Sequence, residues 1–228
     1  MVEFVLLDLD DTILDFRWAE HQAITRTLSA FGIEPREETC ELYRKINLDY
    51  WGRLERKEIT QEQLKPGRFT DLLRLLGRTG DAAAMGEQYL LYLAEGHCFL
   101  PGALETLQLL KKKYRLFLVS NGNPPVQHSR LESAGIAGYF EKLFISMEIG
   151  HNKPSLEFFH HCFSQIPGFD PEKAIIVGDS LSSDIQGGIN AGITTCWVNP
   201  RHRPLWKNIV PDYEIETLPQ LLPILDTL

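Results

Sequence analysis

The chain has 228 residues, 43% of them hydrophobic, and a formal net charge of −8 at pH 7. This length and hydrophobic content suffice for one large globular domain or for a domain with a substantial insertion. The acidic balance offers no basic surface for a polyanion, which argues against polymeric nucleic acid as a partner and leaves a small phosphorylated ligand open. The cysteines are far apart and indicate neither a zinc site nor a redox pair; they are Cys40, Cys98, Cys162 and Cys196.

The N-terminal stretch MVEFVLLDLDD lacks a basic start and has acids inside its apolar run, unlike a secretory signal. No run approaches the ~18 apolar residues of a membrane span. We therefore expect a cytoplasmic protein that does not contact a membrane. The sequence does not predict the oligomeric state.

The first predicted element is a strand over residues 4–7, followed at once by carboxylates. Four consecutive apolar residues are typical of a strand buried on both faces of a parallel sheet. Because side chains alternate along an extended chain, Asp8 and Asp10 would project to the same side if the extended backbone continues past Leu7. Two charges about 4 Å apart repel by about 4 kcal/mol at an effective dielectric of about 20, so we expect a positive group between them.

Residues 17–96 are predicted to be helical, with no strand among them. Apolar residues recur at helical spacing, and Thr60 with Gln63 has the form of a capping box. An apolar stripe follows the box and ends at Gly77. A fourth helix is predicted over residues 81–95.

From Pro101 onward, predicted helices alternate with short apolar strands. The strands are 116–119, 143–145, 174–177 and 194–198, and the helices begin near residues 102, 125, 155 and 183. This alternation predicts an α/β fold, a doubly wound parallel sheet with helices on both faces. The N-terminal strand must join that sheet, so the helical block is an insertion. The predicted domains are a catalytic core of residues 1–15 plus 98–228 and a helical cap of residues 16–97.

Polar residues follow the predicted strands at the points where the strands end. Ligands of open parallel sheets bind beyond these carboxyl ends, so the side chains should meet at one edge. They are Asp8, Asp10 and Thr12 after the first strand, Ser120 and Asn121 after the second, Lys153 after the third, and Asp179 and Asp184 after the fourth. Carboxylates in this number suit Mg²⁺, and a lysine with a hydroxyl can bind anionic oxygens.

Four ordered motifs carry these residues, and together they resemble the motifs of the haloacid dehalogenase (HAD) superfamily. They are Asp8-x-Asp10-x-Thr12, Ser120-Asn121, Lys153-Pro154 and Gly178-Asp179-x4-Asp184. The helical insertion after the first motif resembles that superfamily's cap. Further segments resemble its noncanonical pyrimidine 5′-nucleotidase branch: Gly67-Arg68-Phe69, the run from Gly187 to Gly192, Cys196-Trp197 and His202-Arg203. Asp11 stands where many relatives have glycine.

The resemblance implies a Mg²⁺-dependent phosphomonoester hydrolase. Asp8 would attack phosphorus to form an aspartyl-phosphate, and Asp10 would protonate the leaving oxygen and then activate water. A dehalogenase has no need of a second carboxylate, so Asp10 favours a phosphatase. The implied metal site comprises Asp8, the Asp10 backbone carbonyl and Asp179, with Asp184 as a direct or indirect ligand. The implied phosphate-binding residues are Thr12, Ser120, Asn121 and Lys153.

The resemblance further implies a nucleoside 5′-monophosphate substrate, a pyrimidine one above all. Cap residues that can stack on or hydrogen-bond a base are Trp18, His21, Tyr50, Trp51 and Arg68. A phosphoglycolate or sugar-phosphate phosphatase, or a phosphomutase, would share the same motifs. A receiver-like phospho-acceptor signalling module is the non-enzyme alternative, although its length and lack of an insertion fit less well. Structural alternatives also remain: Asp184 as a helix cap, and the cap aromatic residues as packing residues.

Overall fold

The computed structural model describes residues 1–206 and 208–228. The chain forms two compact units, one of Met1–Phe16 with His97–Leu228 and one of Arg17–Gly96. Among the described residues, none of the helices combines the length and the apolar character needed to cross a membrane.

In the described residues, the larger unit contains a six-stranded parallel sheet of order β3-β2-β1-β4-β5-β6. The strands are β1 Phe4–Leu7, β2 Arg115–Ser120, β3 Lys142–Ile145, β4 Ala174–Gly178, β5 Thr194–Val198 and β6 Tyr213–Ile215. The helices are α1 Phe16–Ala30, α2 Glu37–Glu55, α3 Gln61–Leu75, α4 Ala82–Leu93, α5 Ala103–Leu110, α6 Pro124–Ser133, α7 Ser146–Ile149, α8 Leu156–Ser164, α9 Gln186–Ala191 and α10 Leu221–Leu225. The predicted class, a parallel α/β sheet with a helical insertion, is confirmed.

The centre of the sheet is buried on both faces because its two central strands, β1 and β4, are apolar or glycine at every position. In β1, Val5 and Leu7 face one hydrophobic cluster, which includes Leu131 of α6. Phe4 and Leu6 face a second cluster, which includes the phenylalanines of α8. Layers of helices therefore cover both faces, as the uninterrupted apolar runs predict. The edge strand β6 was not predicted, because three residues with a central glutamate carry too little pattern.

The helical unit is stabilised at its helix ends and by an aromatic cluster. Thr60 Oγ1 accepts from Gln63 N at 3.3 Å and Thr60 N donates to Gln63 Oε1 at 2.9 Å, so the predicted capping box is confirmed. The rings of Tyr43, Phe69 and Tyr89 lie with centroids 5.1 to 5.8 Å apart. These three buried residues join α2, α3 and α4.

The larger unit keeps the two sides of the insertion close together. Leu14 forms a bridge with Phe99, and Asp15 N donates to Cys98 O at 2.8 Å. The chain turns just before this point at Asp11, which has a φ of 55°. Asp11 Oδ1 accepts from Phe16 N at 3.0 Å, which satisfies a backbone donor at the start of α1.

Candidate active site

Three carboxylates converge beyond the ends of β1 and β4. Leu7 is aligned with Val177 in the sheet, and Asp8 N continues the pairing by donating to Val177 O at 3.0 Å. The carboxylate oxygens of Asp8, Asp179 and Asp184 all lie within 4.8 Å of one another. The parallel register thus brings together residues that are more than 170 positions apart in the sequence.

Asp184 reaches this cluster from a π-helical segment, Leu181–Ile185, which precedes α9. Ser180 caps the segment by accepting from Ser183 N at 3.3 Å, so the alternative in which Asp184 is the cap is wrong. Asp184 Oδ2 instead accepts from Ser180 N at 3.1 Å, which turns the carboxylate back toward the sheet edge. A Cβ atom at Gly178 would lie 2.6 Å from Asp184 Cβ, so only glycine leaves room for it there.

Lys153 lies between two of the carboxylates. Its Nζ donates to Asp8 Oδ1 and to Asp184 Oδ1, both at 2.7 Å, and to Val119 O at 2.8 Å. These three bonds engage all three ammonium hydrogens inside the protein. Asn121 fixes the lysine backbone, donating through Nδ2 to Lys153 O at 3.0 Å and accepting from Lys153 N at 2.9 Å. Contact of either side chain with a phosphate therefore stays a prediction.

The cluster has more negative charge than its lysine balances. Burial raises the pKa of Asp8 well above its ordinary value, and the charges of Asp184 and Asp10 add to this, against the opposing effect of Lys153. Burial alone would lower the pKa of Lys153, but Asp184 and Asp8 together raise it above its ordinary value. One ammonium is thus shared between two buried carboxylates while Asp179 stands beside them.

Asp179 has the most exposed side chain of the three carboxylates, at 23%. Burial, with the charges of Asp184 and Asp11, raises its pKa to about 7, against the opposing effect of Arg203. Arg203 Nη2 donates to Asp179 Oδ2 at 3.2 Å and to Asp179 O at 2.5 Å, and Trp197 Nε1 donates to the same carbonyl at 2.8 Å. Hard oxygen donors with unbalanced negative charge fit a divalent cation such as Mg²⁺.

Asp10 is outside the carboxylate cluster found among the described residues. Strand β1 ends at Leu7, and Asp10 forms an isolated β-bridge with Leu14. Each of the two acids has a cationic side chain as its partner, and whether a metal ion also lies between them stays a prediction. Lys153 pairs with Asp8, and Arg130 Nη1 donates to Asp10 Oδ1. The other oxygen of Asp10 accepts from Gln127 Nε2 at 2.8 Å.

The two hydroxyl residues predicted to bind phosphate, Ser120 and Thr12, differ in their hydrogen bonds. Ser120, the last residue of β2, accepts at Oγ from Gly122 N at 3.0 Å and from Gln127 Nε2 at 2.8 Å. Thr12 is buried, and its Oγ1 has no hydrogen-bond partner among the described residues. Gln127 was missed at the sequence level, as was Arg130. The available signal was their spacing of three residues on one face of the helix after Ser120.

A family model for haloacid dehalogenase-like hydrolases matches residues 2–192, a range that contains all four motifs. The chain belongs to the haloacid dehalogenase-like hydrolase family. The predicted membership is confirmed, and the chain is an enzyme, so the alternative of a receiver-like signalling module is wrong.

Family members of similar length match almost the whole chain. YfnB, a HAD hydrolase of Bacillus subtilis, is 36% identical over 97% of this chain and 94% of its own. A crystal structure of YfnB bound to magnesium has a TM-score of 0.95 and covers 99% of both chains. The pyrimidine 5′-nucleotidase PynA of Streptococcus pneumoniae is 37% identical over 98% of this chain and 95% of its own. The pyrimidine 5′-nucleotidase YjjG of Escherichia coli is 30% identical over 96% of each.

The predicted base-recognition residues occupy different environments in the helical unit of this HAD hydrolase. Arg68 is buried, and its Nη1 donates to Asn47 Oδ1 at 2.6 Å. Tyr50 is buried and donates to Asp71 Oδ2 at 3.0 Å. The remaining three are less buried: Trp51 is half-buried beside Tyr50, His21 pairs with Glu37 at 3.2 Å, and Trp18 is exposed. Their role toward a base stays a prediction.

Proposed function

We propose that this HAD hydrolase cleaves phosphomonoesters through an aspartyl-phosphate on Asp8, with nucleoside 5′-monophosphates, pyrimidine ones above all, as its substrates. The observation that carries the phosphatase assignment is the arrangement of Asp8 in the carboxylate cluster with the second acid, Asp10, two residues away. The nucleotide assignment is supported by chain-long similarity to PynA and YjjG, both named pyrimidine 5′-nucleotidases.

Asp8 is the proposed nucleophile. Its Oδ1 is held by Lys153, which orients the carboxylate so that its other oxygen can attack phosphorus in line with the leaving oxygen. The attack forms an Asp8–phosphate bond and breaks the bond between phosphorus and the ester oxygen. Ser120 and Thr12, with Asn121 and Lys153, are the proposed contacts of the phosphoryl oxygens.

Asp10 is the proposed acid and base. It gives a proton to the leaving alkoxide in the first step, then takes one from the water that hydrolyses the aspartyl-phosphate. The residues proposed to hold Mg²⁺ are Asp8, Asp179 and Asp184, with the backbone carbonyl of Asp10. When bound there, the ion supplies positive charge to the phosphoryl oxygens and offsets the charge of the carboxylates.

The helical block is the proposed cap domain, with residues 1–15 plus 98–228 as the catalytic core and 16–97 as the cap. Trp18, His21, Tyr50, Trp51 and Arg68 are the proposed base-recognition residues, supported by the ability of aromatic rings and a guanidinium group to stack on a base. In this proposal the cap residues select the substrate, and the residues at the sheet edge carry out the reaction.

A substrate panel with Mg²⁺ tests the proposal. We expect pyrimidine nucleoside 5′-monophosphates to be hydrolysed with a higher kcat/KM than purine nucleotides, phosphoglycolate or sugar phosphates. A preference for phosphoglycolate or sugar phosphates would overturn the nucleotide assignment and leave the phosphatase assignment standing. Asp8→Asn should abolish turnover on every substrate while the far-UV circular dichroism stays unchanged. Turnover near the wild-type level in that variant would overturn the covalent mechanism.

A further inference from the structure

Two side chains of α6 lie against the residues proposed for the chemistry. Gln127 and Arg130 are 1% and 0% exposed, so their polar groups are committed to the protein interior. Gln127 Nε2 donates to Asp10 Oδ2 and to Ser120 Oγ, both at 2.8 Å. Arg130 Nη1 donates to Asp10 Oδ1 and, at 3.0 Å, to Gln127 Oε1.

The Gln127–Arg130 contact fixes which way the glutamine amide faces. A guanidinium group can only donate hydrogen bonds, so the atom of Gln127 that faces Arg130 must be the carbonyl oxygen. The amide nitrogen must then face Asp10 and Ser120, where it has two hydrogens for two acceptors.

This arrangement also fixes the hydroxyl of Ser120. A hydroxyl oxygen has two acceptor positions and one hydrogen to donate. Gly122 N and Gln127 Nε2 occupy both acceptor positions, and neither of these groups can accept the hydroxyl hydrogen in return. The Ser120 O–H is therefore available as a donor to another group, such as an anionic oxygen.

Asp10 depends on the same two side chains for its orientation. It lies beyond the end of β1 and just before the turn at Asp11, so regular strand pairing does not fix its side chain. Gln127 and Arg130 hold one carboxylate oxygen each, which sets the plane of the carboxylate. Each oxygen has a further acceptor position, which leaves room for a proton to be held or transferred.

Gly122 leaves the space that the side chain of Gln127 occupies. A Cβ atom at that position would lie 2.7 Å from Gln127 Cγ and would overlap the side-chain amide. A glycine is therefore needed after Ser120-Asn121, because a larger residue would prevent Gln127 from lying between Ser120 and Asp10.

We propose that Gln127 and Arg130 are positioning residues for the reaction. Gln127 commits the Ser120 hydroxyl to donating toward a phosphoryl oxygen. Together with Arg130, it holds the Asp10 carboxylate in the orientation that proton transfer to the leaving oxygen needs. This inference rests on the proposed phosphatase function, and it predicts different kinetic consequences for the two side chains.

The test compares two substrates in the first turnover, with Mg²⁺ present. A nucleoside 5′-monophosphate releases an alkoxide that needs a proton, whereas p-nitrophenyl phosphate releases a stable phenolate. Arg130→Met should slow the first turnover of the nucleotide by about 100-fold, because misplacing a reacting group by about 1 Å can slow a reaction by that factor. The first turnover of p-nitrophenyl phosphate should stay within about threefold of wild type, because its leaving group needs no proton. Arg130→Lys, which keeps a donor, should recover part of the loss.

Gln127→Leu should slow the first turnover of both substrates, and that of the nucleotide more, because Gln127 contacts Ser120 as well as Asp10. Ser120→Ala should slow both by the same factor. Thr195→Val is the matched control: it removes a buried hydroxyl bonded to Asp212 at 2.8 Å in the same unit, and it should not change the ratio of the two rates.

Equal slowing of the two substrates by Arg130→Met and by Gln127→Leu would overturn the inference while the phosphatase assignment stands. A wild-type protein that hydrolyses neither substrate would overturn the proposed function and this inference with it. Thermal unfolding identifies any variant that fails to fold. If Arg130→Met is such a variant, the substrate ratios of Arg130→Lys and Gln127→Leu decide the question.

Discussion

The ammonium of Lys153 lies 2.7 Å from Asp8 Oδ1, and the side chain of this lysine is only 2% exposed. Replacing one partner of a buried ion pair costs stability, because the charge of the other partner stays buried without compensation. The pair therefore links the proposed chemistry to the stability of the fold.

Replacing Lys153 with methionine should strongly destabilise the metal-free protein. The substitution leaves Asp8 and Asp184 without their shared cation, and losing one partner of a buried pair costs about 3–5 kcal/mol of unfolding free energy. Urea unfolding in EDTA measures the loss. The double variant Lys153→Met, Asp8→Asn should recover part of it. A single variant as stable as wild type would contradict the buried pairing.

The stability of the metal-free protein should fall as pH rises through the range set by Asp179. The pKa of this carboxyl is about 7 when folded, against an ordinary value of 3.8. Between these values the folded state binds more protons than the unfolded state, so this contribution is largest in acid and is lost as pH approaches the folded value. Thermal unfolding in EDTA at about pH 5 and about pH 8 checks the direction.

The stabilisation of the protein by added Mg²⁺ should increase as pH rises, whereas the stability of the metal-free protein falls. Carboxylate ligands must be ionised to bind a metal, so the rise in Tm on adding Mg²⁺ should be larger at the higher pH. Asp179→Asn should abolish most of this difference. An equal rise in Tm at both pH values in the wild-type protein would contradict a role for Asp179 in holding the metal.

Gly178→Ala should weaken Mg²⁺ binding. The new methyl group would overlap Asp184, which must then move away from Asp8 and Asp179. Displacing a group around a metal site typically costs about 10- to 100-fold in affinity. Isothermal titration calorimetry measures the change. Gly138→Ala is the control, since a Cβ atom there has no neighbour within 4 Å, and it should bind Mg²⁺ as wild type does.

Asp10→Asn should separate the two chemical steps. Loss of a general acid and base slows turnover of a nucleotide by about 10²- to 10⁴-fold. With p-nitrophenyl phosphate, the first turnover should remain fast and the hydrolysis of the aspartyl-phosphate should become slow, giving a burst of one p-nitrophenol per chain. Asp226→Asn, at an exposed carboxylate paired with Lys113, is the control and should show neither effect. Nucleotide turnover within tenfold of wild type would exclude Asp10 from this role.

The sheet and the carboxylate cluster were predictable because their signals are local. Asp8 directly follows an apolar run and Asp179 directly follows Gly178 at the end of another, and parallel strands bring such positions to one edge. The contacts of Asp10 were not predictable in the same way. Gln127 and Arg130 are 117 and 120 residues away from it in the sequence, and only the packing of α6 brings them close. Spacing on a helix predicts a shared face but does not identify the partner.

The hydrogen bond from Asp15 to Cys98 has a consequence for how such enzymes diversify. The chain leaves the larger unit and returns to it at neighbouring points, so the two ends of residues 17–96 are held close together. Because the two ends of the insertion are this close, we expect the strand order to survive replacement of residues 17–96 by another segment whose ends lie equally close. If the helical unit selects the substrate, as proposed above, such a replacement would change substrate choice and leave the residues at the sheet edge in place.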